Sequence, residues 1–487
     1  MSRPSDLNGP EWVQAAERNG PWPELSVVVA GIGVSGFAAA DALVRLGARV
    51  TVVDEHDGTA ERERATVLHM LGAAAYLGPG STASLPEGTD LVVTSPGWRS
   101  DAPLLAAAAA SNVPVWGEVE LAWRLRDRST PWLALTGTNG KTTTLRMLTQ
   151  MLRASGLRVG SAGNVGDPIV SAVLDPAGHD VLAVELSSFQ LHWTHSLAVR
   201  SAAVLNVAPD HLDWHGTMDA YAADKGRIYQ GVESSCVYNV ADPVTERLVR
   251  EADVVEGARA IGFTLDVPRV GMVGVVDGVL VDRAFVDERQ TSAAELASVD
   301  DVRPSAPHNV ANALAAAALA RSLGVPPVAV RDGLRGYEPD PHRAATVATI
   351  DDVTFVDDSK ATNTHAATAA LGAYESIVWI AGGLAKGATF DELVLGARDR
   401  LRGVVLMGTD RSLIRASLAR HAPEVPVVEV TTTDNMAMEH AVRAAADMAR
   451  RGDTVLLAPA CASMDMFVDY ASRGDAFAAA VRRHGDR

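Results

Sequence analysis

Residues 132–148, WLALTGTNGKTTTLRML, decide the fold class of this chain. The apolar residues 132–135 predict a buried β-strand, and the residues from Lys141 onward predict an amphipathic α-helix. The glycine-rich turn between them offers backbone N–H groups, a Lys ammonium and a Thr hydroxyl, which together suit a polyphosphate and Mg²⁺. We therefore predict a phosphate-binding loop between a parallel strand and a helix.

The predicted loop differs from the common pattern GxxxxGK[ST], because that pattern requires glycine where this chain has Leu135. The remaining features of the pattern are present, so the loop is interpreted as a variant. Its expected phosphate-binding residues are Gly137, Thr138, Asn139, Gly140, Lys141, Thr142 and Thr143.

A second glycine-rich turn lies near the start of the chain. Residues 25–55 predict a strand, a turn, a helix and a second strand, with Gly31, Gly33 and Gly36 in GxGxxG spacing and Asp54 ending the second strand. This pattern predicts a Rossmann-like domain in which a helix N-terminus faces a diphosphate. The spacing alone fits both a dinucleotide and a UDP-sugar.

The composition excludes several classes of protein. Of the 487 residues, 47% are hydrophobic and 21% charged, which is typical of a globular protein, and the formal net charge of −17 disfavours nucleic acid and anionic membranes as partners. The chain has two cysteines, Cys236 and Cys461, which stand far apart and outside any CxxC spacing. We therefore expect a cytoplasmic protein without disulfides.

Strand-like and helix-like segments alternate throughout the chain. This alternation predicts an α/β fold of three domains with mostly parallel sheets, each domain long enough to bury its own core. Polar, Gly-rich and Pro-rich segments put the boundaries near Ser129 and Asp340. The expected division is a polar leader at 1–24, whose order is left open, a Rossmann-like domain at 25–129, a central domain at 130–340 and a C-terminal Rossmann-like domain at 341–487.

Further polar residues follow the predicted strands of the central domain. The segment of residues 180–191 begins with a predicted buried strand that ends in Glu185, and His211 follows the next predicted strand. Because ligands of open α/β sheets lie beyond the carboxyl ends of the strands, we expect Lys141, Glu185 and His211 to share one crevice, with Glu185 on Mg²⁺. Lys225 lies in a predicted helix, and Asn309 shares one side of another helix with Asn312.

A series of segments in order resembles the Mur ligase family, the ATP-dependent enzymes that add amino acids to the peptidoglycan precursor. The segments are TGTNGKTT, GNVG, ELSSFQL, LNVAPDHLDWHG, the helix with Lys225, HNVANAL and DPHR. The resemblance covers nearly the whole chain after the leader. It implies a nucleotide-binding central domain between a UDP-sugar domain and an amino-acid domain.

The resemblance also implies roles for individual residues. Lys141 and the loop residues named above would bind ATP, together with Asn309, Asn312 and Arg343. Of two Mg²⁺ ions, one would be held by Thr142 and Glu185 and the other by His211 and a carbamylated Lys225. The UDP-sugar would contact Val34, Ser35, Asp54, Ser95, Pro96, Gly97, Asn164, Ser187 and Gln190.

The C-terminal segments DDSKATN, GGLAKG and PACASMDMF resemble the members of the family that add D-glutamate. The chain lacks the DNPR motif of the members that add diaminopimelate; the nearest segment is TTDNMAM. D-Glutamate would contact Lys360, Thr362, Lys386, Ser463 and Tyr470. The chain has Tyr470 where relatives are expected to have Phe, and His56 where they are expected to have Arg.

The reaction implied by the resemblance has two steps. ATP would phosphorylate the L-alanine carboxylate of UDP-N-acetylmuramoyl-L-alanine, and the amine of D-glutamate would displace the phosphate. His211 is one candidate for the base that takes the proton of the amine, but metal binding is the role expected for it. A monomer acting on small-molecule substrates is expected, with no nucleic-acid or membrane partner.

Three alternatives stay open at this point. One is a different amino-acid ligase of the Mur or folylpolyglutamate type. Another is an oxidoreductase based on the first glycine-rich turn, which would have no use for the phosphate loop or Glu185. The last is a non-catalytic nucleotide sensor, which would need neither His211 nor Lys225.

Overall fold

The computed structural model of the protein describes residues 11–164, 166–339, 341–432 and 436–486. The chain forms two compact units: one comprises the residues up to Val302 together with Val310–Tyr337, and the other comprises Arg303–Asn309 and Glu338–Arg487. Among the described residues, no helix combines the length and the apolar character needed to cross a bilayer.

The first unit begins with a parallel five-stranded sheet in the order β3-β2-β1-β4-β5. Its strands are β1 Ser26–Ala30, β2 Arg49–Asp54, β3 Ala74–Leu77, β4 Leu91–Thr94 and β5 Val115–Gly117. Its helices are α1 Val34–Arg45, α2 Thr59–Leu71, α3 Pro103–Ala110 and α4 Glu118–Leu125. The expected strand, turn, helix and strand of residues 25–55 are confirmed as β1, the glycine turn, α1 and β2.

The second sheet of this unit has nine strands in the order β14-β13-β12-β11-β10-β9-β6-β8-β7. The strands are β6 Trp132–Thr136, β7 Val159–Gly163, β8 Val181–Glu185, β9 Ser201–Val204, β10 Ser235–Asn239, β11 Arg259–Phe263, β12 Met272–Val276, β13 Val279–Asp282 and β14 Ala294–Ser298. Strands β12 to β14 pair antiparallel and the others parallel. The antiparallel strands were not expected.

The helices of the central region follow the same order along the chain. They are α5 Lys141–Ala154, α6 Ile169–Val173, α7 Ser188–His192, α8 Leu212–His215, α9 Met218–Gly226, α10 Pro243–Glu251, α11 Pro307–Ser322 and α12 Pro327–Arg335. The helices expected around Lys225 and around Asn309 are confirmed as α9 and α11. Helix α11 is buried along its whole alanine-rich stretch, residues 313–320.

The second unit contains a six-stranded sheet in the order β15-β16-β20-β17-β18-β19. Its strands are β15 Ala345–Ile350, β16 Val353–Asp357, β17 Ile377–Gly382, β18 Leu401–Met407, β19 Val427–Glu429 and β20 Thr454–Leu457. Its helices are α13 Thr364–Leu371, α14 Asp391–Ala397, α15 Arg411–His421, α16 Ala437–Met448 and α17 Tyr470–Gly485. All strands expected here are present, and the additional strand β15 pairs antiparallel with β16.

The fold class expected from the sequence is confirmed, since all three sheets are mostly parallel and carry helices. The sequence predicted a separate hydrophobic core for each domain, but the first two sheets do not have fully separate cores. One hydrophobic cluster contains Val52 of the first sheet and Leu182 of the second, and the rings of Trp123 and Trp132 pack edge to face at 5.1 Å. The two sheets therefore share a core, because α4 and β6 continue one apolar layer.

The expected domain boundaries remain predictions. Ser129 lies in the short connection between α4 and β6, within the first compact unit. Asp340 lies outside the described residues, as do residues 433–435 of the TTDNMAM segment and residues 1–10 of the leader.

The later part of the leader is ordered. Residues Glu11–Val13 and Trp22–Glu24 form short 3₁₀-helices, and Trp22 is buried. The guanidinium of Arg18 donates to the carbonyls of Leu125 and Val173, which belong to the regions of the first and second sheets. This part of the leader therefore fastens the two sheets together.

A buried carboxyl joins the same two regions. Glu118 at the start of α4 accepts a hydrogen bond from the backbone N–H of Val170 in the first turn of α6, at 2.8 Å. Burial raises the pKa of Glu118 to about 7, although the N–H groups of Val170 and Ile169 oppose the shift. The folded protein therefore keeps this carboxyl protonated at a pH where the unfolded chain has lost the proton.

We predict that Glu118→Gln makes the protein more stable relative to wild type as the pH rises. Between the unfolded pKa of about 4.5 and the folded pKa of about 7, wild type loses stability with rising pH, because the folded state binds the extra proton. The amide of the variant does not ionise, so the variant does not lose stability in this way. The loss in wild type is about 1.4 kcal/mol in the free energy of unfolding for each unit by which the folded pKa exceeds the unfolded pKa. Thermal unfolding of both proteins at about pH 5 and about pH 8 measures the effect. A difference in melting temperature that is the same at both pH values would contradict the prediction.

Candidate active site

The phosphate loop has the expected position between β6 and α5. Gly140 precedes α5 with φ +83°, in the left-handed region, and a Cβ atom added there would lie 2.3 Å from Oδ1 of Asn312. Only glycine fits this position. Leu135 is still part of β6, where its carbonyl accepts from the N–H of Leu186, so the loop begins two residues later than in the common pattern.

Two lysines converge on one carbonyl of this loop. The Nζ atoms of Lys141 and Lys225 both donate to the carbonyl oxygen of Gly137, at 2.9 Å each. Lys141 also donates to the carbonyl of Thr138 at 3.0 Å. Strands β7, β8 and β9 lie between these lysines in the sequence, and the geometry puts both lysines at the base of the phosphate loop.

Lys225 is almost completely buried and lies over the ring of Tyr221, 4.5 Å from its centroid. Burial, with a further contribution from the charge of Lys141, lowers the pKa of Lys225 well below its usual value. A buried lysine amine in its neutral form is a nucleophile. This environment is therefore suited to covalent modification of Lys225.

Glu185 provides a carboxylate at the same edge of the sheet. Its Oε1 accepts from Nδ2 of Asn164 at 3.0 Å, whereas its Oε2 and the hydroxyl of Thr136 on neighbouring β6 are buried without a hydrogen-bond partner among the described residues. A buried carboxylate oxygen normally has a partner, so this atom fits a cation. Thr142 is also buried, in the first turn of α5.

The donor set fits Mg²⁺. The described part of the chain holds no cluster of three or more His, Cys, Asp or Glu side chains suited to a metal. Mg²⁺ commonly takes one or two protein carboxylates and completes its coordination with water and substrate phosphates. Glu185 and the hydroxyl of Thr142 meet that requirement.

Polar contacts hold the rest of the loop in place. Asn139 donates its N–H to Oδ1 of Asn206 at 2.8 Å, and Thr138 Oγ1 lies 3.1 Å from the hydroxyl of Tyr221. Thr143 is buried in the first turn of α5. These contacts fix the conformation of the loop, and one of them already uses the N–H of Asn139.

His211 lies on the rim of this region. It has a left-handed backbone with φ +53°, precedes α8, and packs its ring 4.8 Å from that of Phe189. Its side chain is 42% exposed. The pairing of His211 with Lys225 around a second ion remains a prediction.

The glycine-rich turn of the first sheet is closely packed. Gly31 has φ +96°, and an added Cβ would lie 2.6 Å from Oγ of Ser95. Asp54 ends β2 and accepts the N–H of Ile32 at 2.8 Å, so the carboxylate supports the turn. Its other oxygen lies 3.0 Å from the ring nitrogen of exposed His56.

The remaining candidate residues of this sheet surround the turn. Val34 and Ser35 begin α1, with Val34 exposed, and Ser95, Pro96 and Gly97 follow β4. Two contacts bring this second segment to the loop that contains His211: Trp214 donates to the carbonyl of Gly97 at 3.3 Å, and Arg99 donates to that of Asp213 at 2.8 Å. The segment that follows β4 therefore lies against the loop that follows His211.

Two of the expected UDP-sugar contacts already have local partners. Ser187 caps α7, and its N–H and hydroxyl both donate to Oε1 of Gln190, at 2.9 Å and 3.0 Å. This capping box orders the start of α7 directly after β8. A role for Ser187 and Gln190 toward a substrate stays a prediction.

In the second unit, the segment that contains Arg343 is fixed to the end of β16. Nδ1 of His342 lies 2.7 Å from Asp357, and Ala344 donates its N–H to Asp358 at 3.2 Å. Burial raises the pKa of Asp358 to about 7. Asn309 at the start of α11 donates its amide to the carbonyl of Pro304 at 3.2 Å.

The amino-acid candidates lie beyond the carboxyl ends of neighbouring strands β16, β20 and β17. Nζ of Lys360 lies over the ring of Tyr470 at 3.6 Å, and Thr362 donates its N–H to the carbonyl of Lys360. The loops with Lys386 and Ser463 are joined by reciprocal backbone hydrogen bonds of 2.9 Å between Leu384 and Ala462. The structure thus brings these five candidates to one edge of the third sheet.

The sequence did not single out one buried cluster in the first unit. Asp224 accepts from Nδ1 of both His192 and His215, each at 3.0 Å. Burial opposes ionisation, but the hydrogen bonds from the two histidines outweigh it and lower the pKa of Asp224 to about 2. The only signal in the sequence was the position of Asp224 beside Lys225.

Protein-family models match three successive parts of the chain. Residues 25–117 match the N-terminal domain of Mur ligases of the MurD-like type, residues 135–320 the Mur ligase middle domain, and residues 342–461 the Mur ligase glutamate ligase domain.

Curated relatives match nearly the whole chain. A protein of Streptomyces avermitilis is 64% identical over 465 residues, which cover 95% of this chain and 99% of the relative. A protein of Thermobifida fusca is 59% identical over 94% of this chain and 98% of the relative. Both carry the name UDP-N-acetylmuramoylalanine--D-glutamate ligase.

Solved structures agree at the level of the fold. UDP-N-acetylmuramate-alanine ligase of Thermotoga maritima matches with a TM-score of 0.54 and 18% identity, covering 95% of this chain and 99% of that one. A pseudomurein peptide ligase type C of Methanothermus fervidus matches with a TM-score of 0.55 and 17% identity, covering 94% and 100%. By its domains and by its curated relatives, this chain belongs to the Mur ligase family.

Proposed function

We propose that the protein is an ATP-dependent ligase that joins D-glutamate to UDP-N-acetylmuramoyl-L-alanine, with ADP and phosphate as the other products. The observation that carries the proposal is the 64% identity to a relative of that name over 95% of the chain. The site supports it, because Lys141, Lys225 and Glu185 border one phosphate loop. An oxidoreductase would have no use for the phosphate loop or Glu185, and a passive nucleotide sensor would not need Lys225.

The reaction needs ATP because a free carboxylate is a poor electrophile. In the proposed first step, the L-alanine carboxylate attacks the γ-phosphorus of ATP, and an acyl phosphate and ADP form. In the second step, the amine of D-glutamate attacks the carbonyl carbon, phosphate departs, and the amine loses a proton. The residue that takes this proton is left unassigned.

Each part of the phosphate loop has a role in the proposed first step. The loop residues, from Gly137 to Thr143, bind the ATP phosphates, and Lys141 offsets their charge. Thr142 and Glu185 would hold Mg²⁺, and the chemistry that this ion would supply is neutralisation of charge on the phosphates. Asn309, Asn312 and Arg343 bind the nucleotide.

The second metal site is proposed from His211 and Lys225. A neutral Lys225 amine reacts with CO₂ to form a carbamate and release a proton, which converts the lysine into an oxygen ligand. The lowered pKa of Lys225 supports this modification. Two Mg²⁺ ions are thus the full proposed complement.

The substrates are assigned to the other two sheets. The dianionic D-glutamate is proposed to bind Lys360 and Lys386 with its carboxylates, aided by Thr362, Ser463 and Tyr470. The UDP-sugar is proposed to bind the glycine turn of the first sheet and its neighbours: Val34, Ser35, Asp54, Ser95, Pro96, Gly97, Asn164, Ser187 and Gln190. We also propose that the enzyme is a cytoplasmic monomer.

The first experiment measures phosphate release by the purified protein with ATP, Mg²⁺ and UDP-N-acetylmuramoyl-L-alanine. D-Glutamate is compared with L-glutamate, meso-diaminopimelate and no amino acid. We expect release only with D-glutamate and only when the UDP-sugar is present. Release that depends on a different amino acid would overturn the substrate assignment, and its absence in every mixture would overturn the ligase proposal.

Glu185→Gln should weaken the use of Mg²⁺. The amide nitrogen cannot replace a carboxylate oxygen as a ligand, so we expect the Mg²⁺ concentration for half-maximal rate to rise by about tenfold or more. Glu118→Gln is the matched control, since it makes the same change at a buried carboxyl away from the loop. An unchanged Mg²⁺ requirement in Glu185→Gln would refute the assignment.

Gly140→Ala should weaken ATP binding. Alanine is strained at φ +83°, and its Cβ would clash with Asn312. We expect ATP affinity, measured by calorimetry, to fall by about tenfold or more, with UDP-sugar affinity unchanged. Gly156→Ala is the control, because Gly156 has φ +86° but no atom near the added Cβ. Equal ATP affinity in the Gly140 and Gly156 variants would show that the clash is unimportant.

A further inference from the structure

Asp224 is the centre of a hydrogen-bonded cluster in the first unit. Its carboxylate accepts from Nδ1 of His192 and of His215, each at 3.0 Å, and from Nε of Arg227 at 3.1 Å. Asp224 is only 7% exposed. A carboxylate so far removed from water persists only with partners of this kind.

The partners of Asp224 come from separate elements of the chain. His192 ends α7, His215 ends α8, and Asp224 itself lies in α9. Each of these elements begins or ends beside a residue of the proposed site: Glu185 precedes α7, His211 caps α8, and Lys225 is in α9. The carboxylate is therefore the common attachment point of the elements that carry these three site residues.

The cluster extends from Asp224 to the start of α7. His215 bonds Asp224 through Nδ1, and its Nε2 lies 3.0 Å from Oγ of Ser188. A serine, a histidine and an aspartate in this order also occur in nucleophilic catalysis. Here the side chain of His215 is fully buried and Ser188 is 2% exposed, so no substrate can reach the hydroxyl. We therefore interpret this arrangement as structural, because it connects helices and its serine is not available as a nucleophile.

The helix geometry connects this cluster to Lys225. Consecutive residues of an α-helix point about 100° apart, so fixing the direction of Asp224 also fixes that of Lys225. With Asp224 directed toward His192 and His215, Lys225 extends to the carbonyl of Gly137 at the base of the phosphate loop. A rotation of α9 would move Nζ away from that oxygen.

We propose that Asp224 is a positioning residue for the ligase reaction, which acts by holding α7, α8 and α9 so that Lys225 reaches the phosphate loop and His211 keeps its position at the start of α8. This inference rests on the proposed function. Asp224 does not touch a substrate, so its effect passes through Lys225 and His211. A residue that orients metal-binding groups in this way typically contributes a factor of about 10 to 100 in activity.

Asp224→Asn tests the inference, with Asp219→Asn as the matched control. Asp219 lies on the same helix but is exposed, and its contact with Arg247 is a long surface pair of 3.4 Å. We expect Asp224→Asn to lower kcat per folded molecule by about tenfold or more, with KM for ATP changed by less than about threefold. Asp224→Glu, which keeps a carboxylate, should recover part of the loss. Asp219→Asn should behave as wild type.

The measurements separate positioning from simple stability. The melting temperature and the folded fraction are determined for each variant, and kcat and KM for all three substrates are expressed per folded molecule. A purely structural role would lower the melting temperature but leave kcat per folded molecule unchanged, and that result would overturn the inference. So would equal kinetics for Asp224→Asn and Asp219→Asn.

A second variant covers the case in which Asp224→Asn does not fold. His192 is partly exposed, and His192→Ala leaves Asp224 its contacts with His215 and Arg227. We expect a fall in kcat of about two- to fivefold, again with KM for ATP nearly constant. Unchanged kcat in a folded His192→Ala protein would overturn the inference. If wild type itself shows no phosphate release that depends on D-glutamate, the proposed function fails instead.

Discussion

The hydrogen bonds from Lys141 and Lys225 to the carbonyl oxygen of Gly137 are the contact on which the site depends. Two basic side chains approach one oxygen, and one of them is buried. Such an arrangement is unfavourable while both lysines are charged, because like charges repel most strongly where water is excluded. It becomes favourable when Lys225 is neutral or modified and when phosphate is near Lys141. The arrangement of the two lysines therefore favours the binding of an anion beside Lys141.

Each of the three sheets carries its candidate residues in a similar position. In each of them candidate residues lie at or just beyond the carboxyl ends of parallel strands: Asp54 ends β2, Glu185 ends β8, and Lys360 follows β16. Parallel pairing aligns these ends along one edge of a sheet, so residues remote in sequence become neighbours. The loops beyond the strands are then free to differ in chemistry, with glycines near the diphosphate candidates and lysines near the amino-acid candidates.

The sequence predicted the fold class and most strands because buried parallel strands form short apolar runs with clear ends. It predicted the phosphate loop because Gly137, Gly140 and Lys141 have a local spacing. The antiparallel strands β12 to β14 were not predicted, although Asp277 and Gly278 between β12 and β13 are a local signal for a two-residue hairpin turn. Asp224 was also missed, because its histidine partners lie on other helices and no local pattern connects them. The capping role of Ser187 is different, because its box with Gln190 is the local pattern S-x-x-Q, which is visible in the sequence.

The core shared by the first two sheets has a consequence for cooperativity. Trp123 and Trp132 face each other within one apolar cluster, and the leader and Glu118 bridge the same boundary. Opening either sheet alone would expose apolar surface of both, so the free energy of local opening approaches that of opening the pair. The glycine turn of the first sheet and the phosphate loop of the second therefore lie on a single cooperative unit. An amino-acid change in the shared core that lowers the free energy of opening for one of these loops will therefore lower it for the other loop as well.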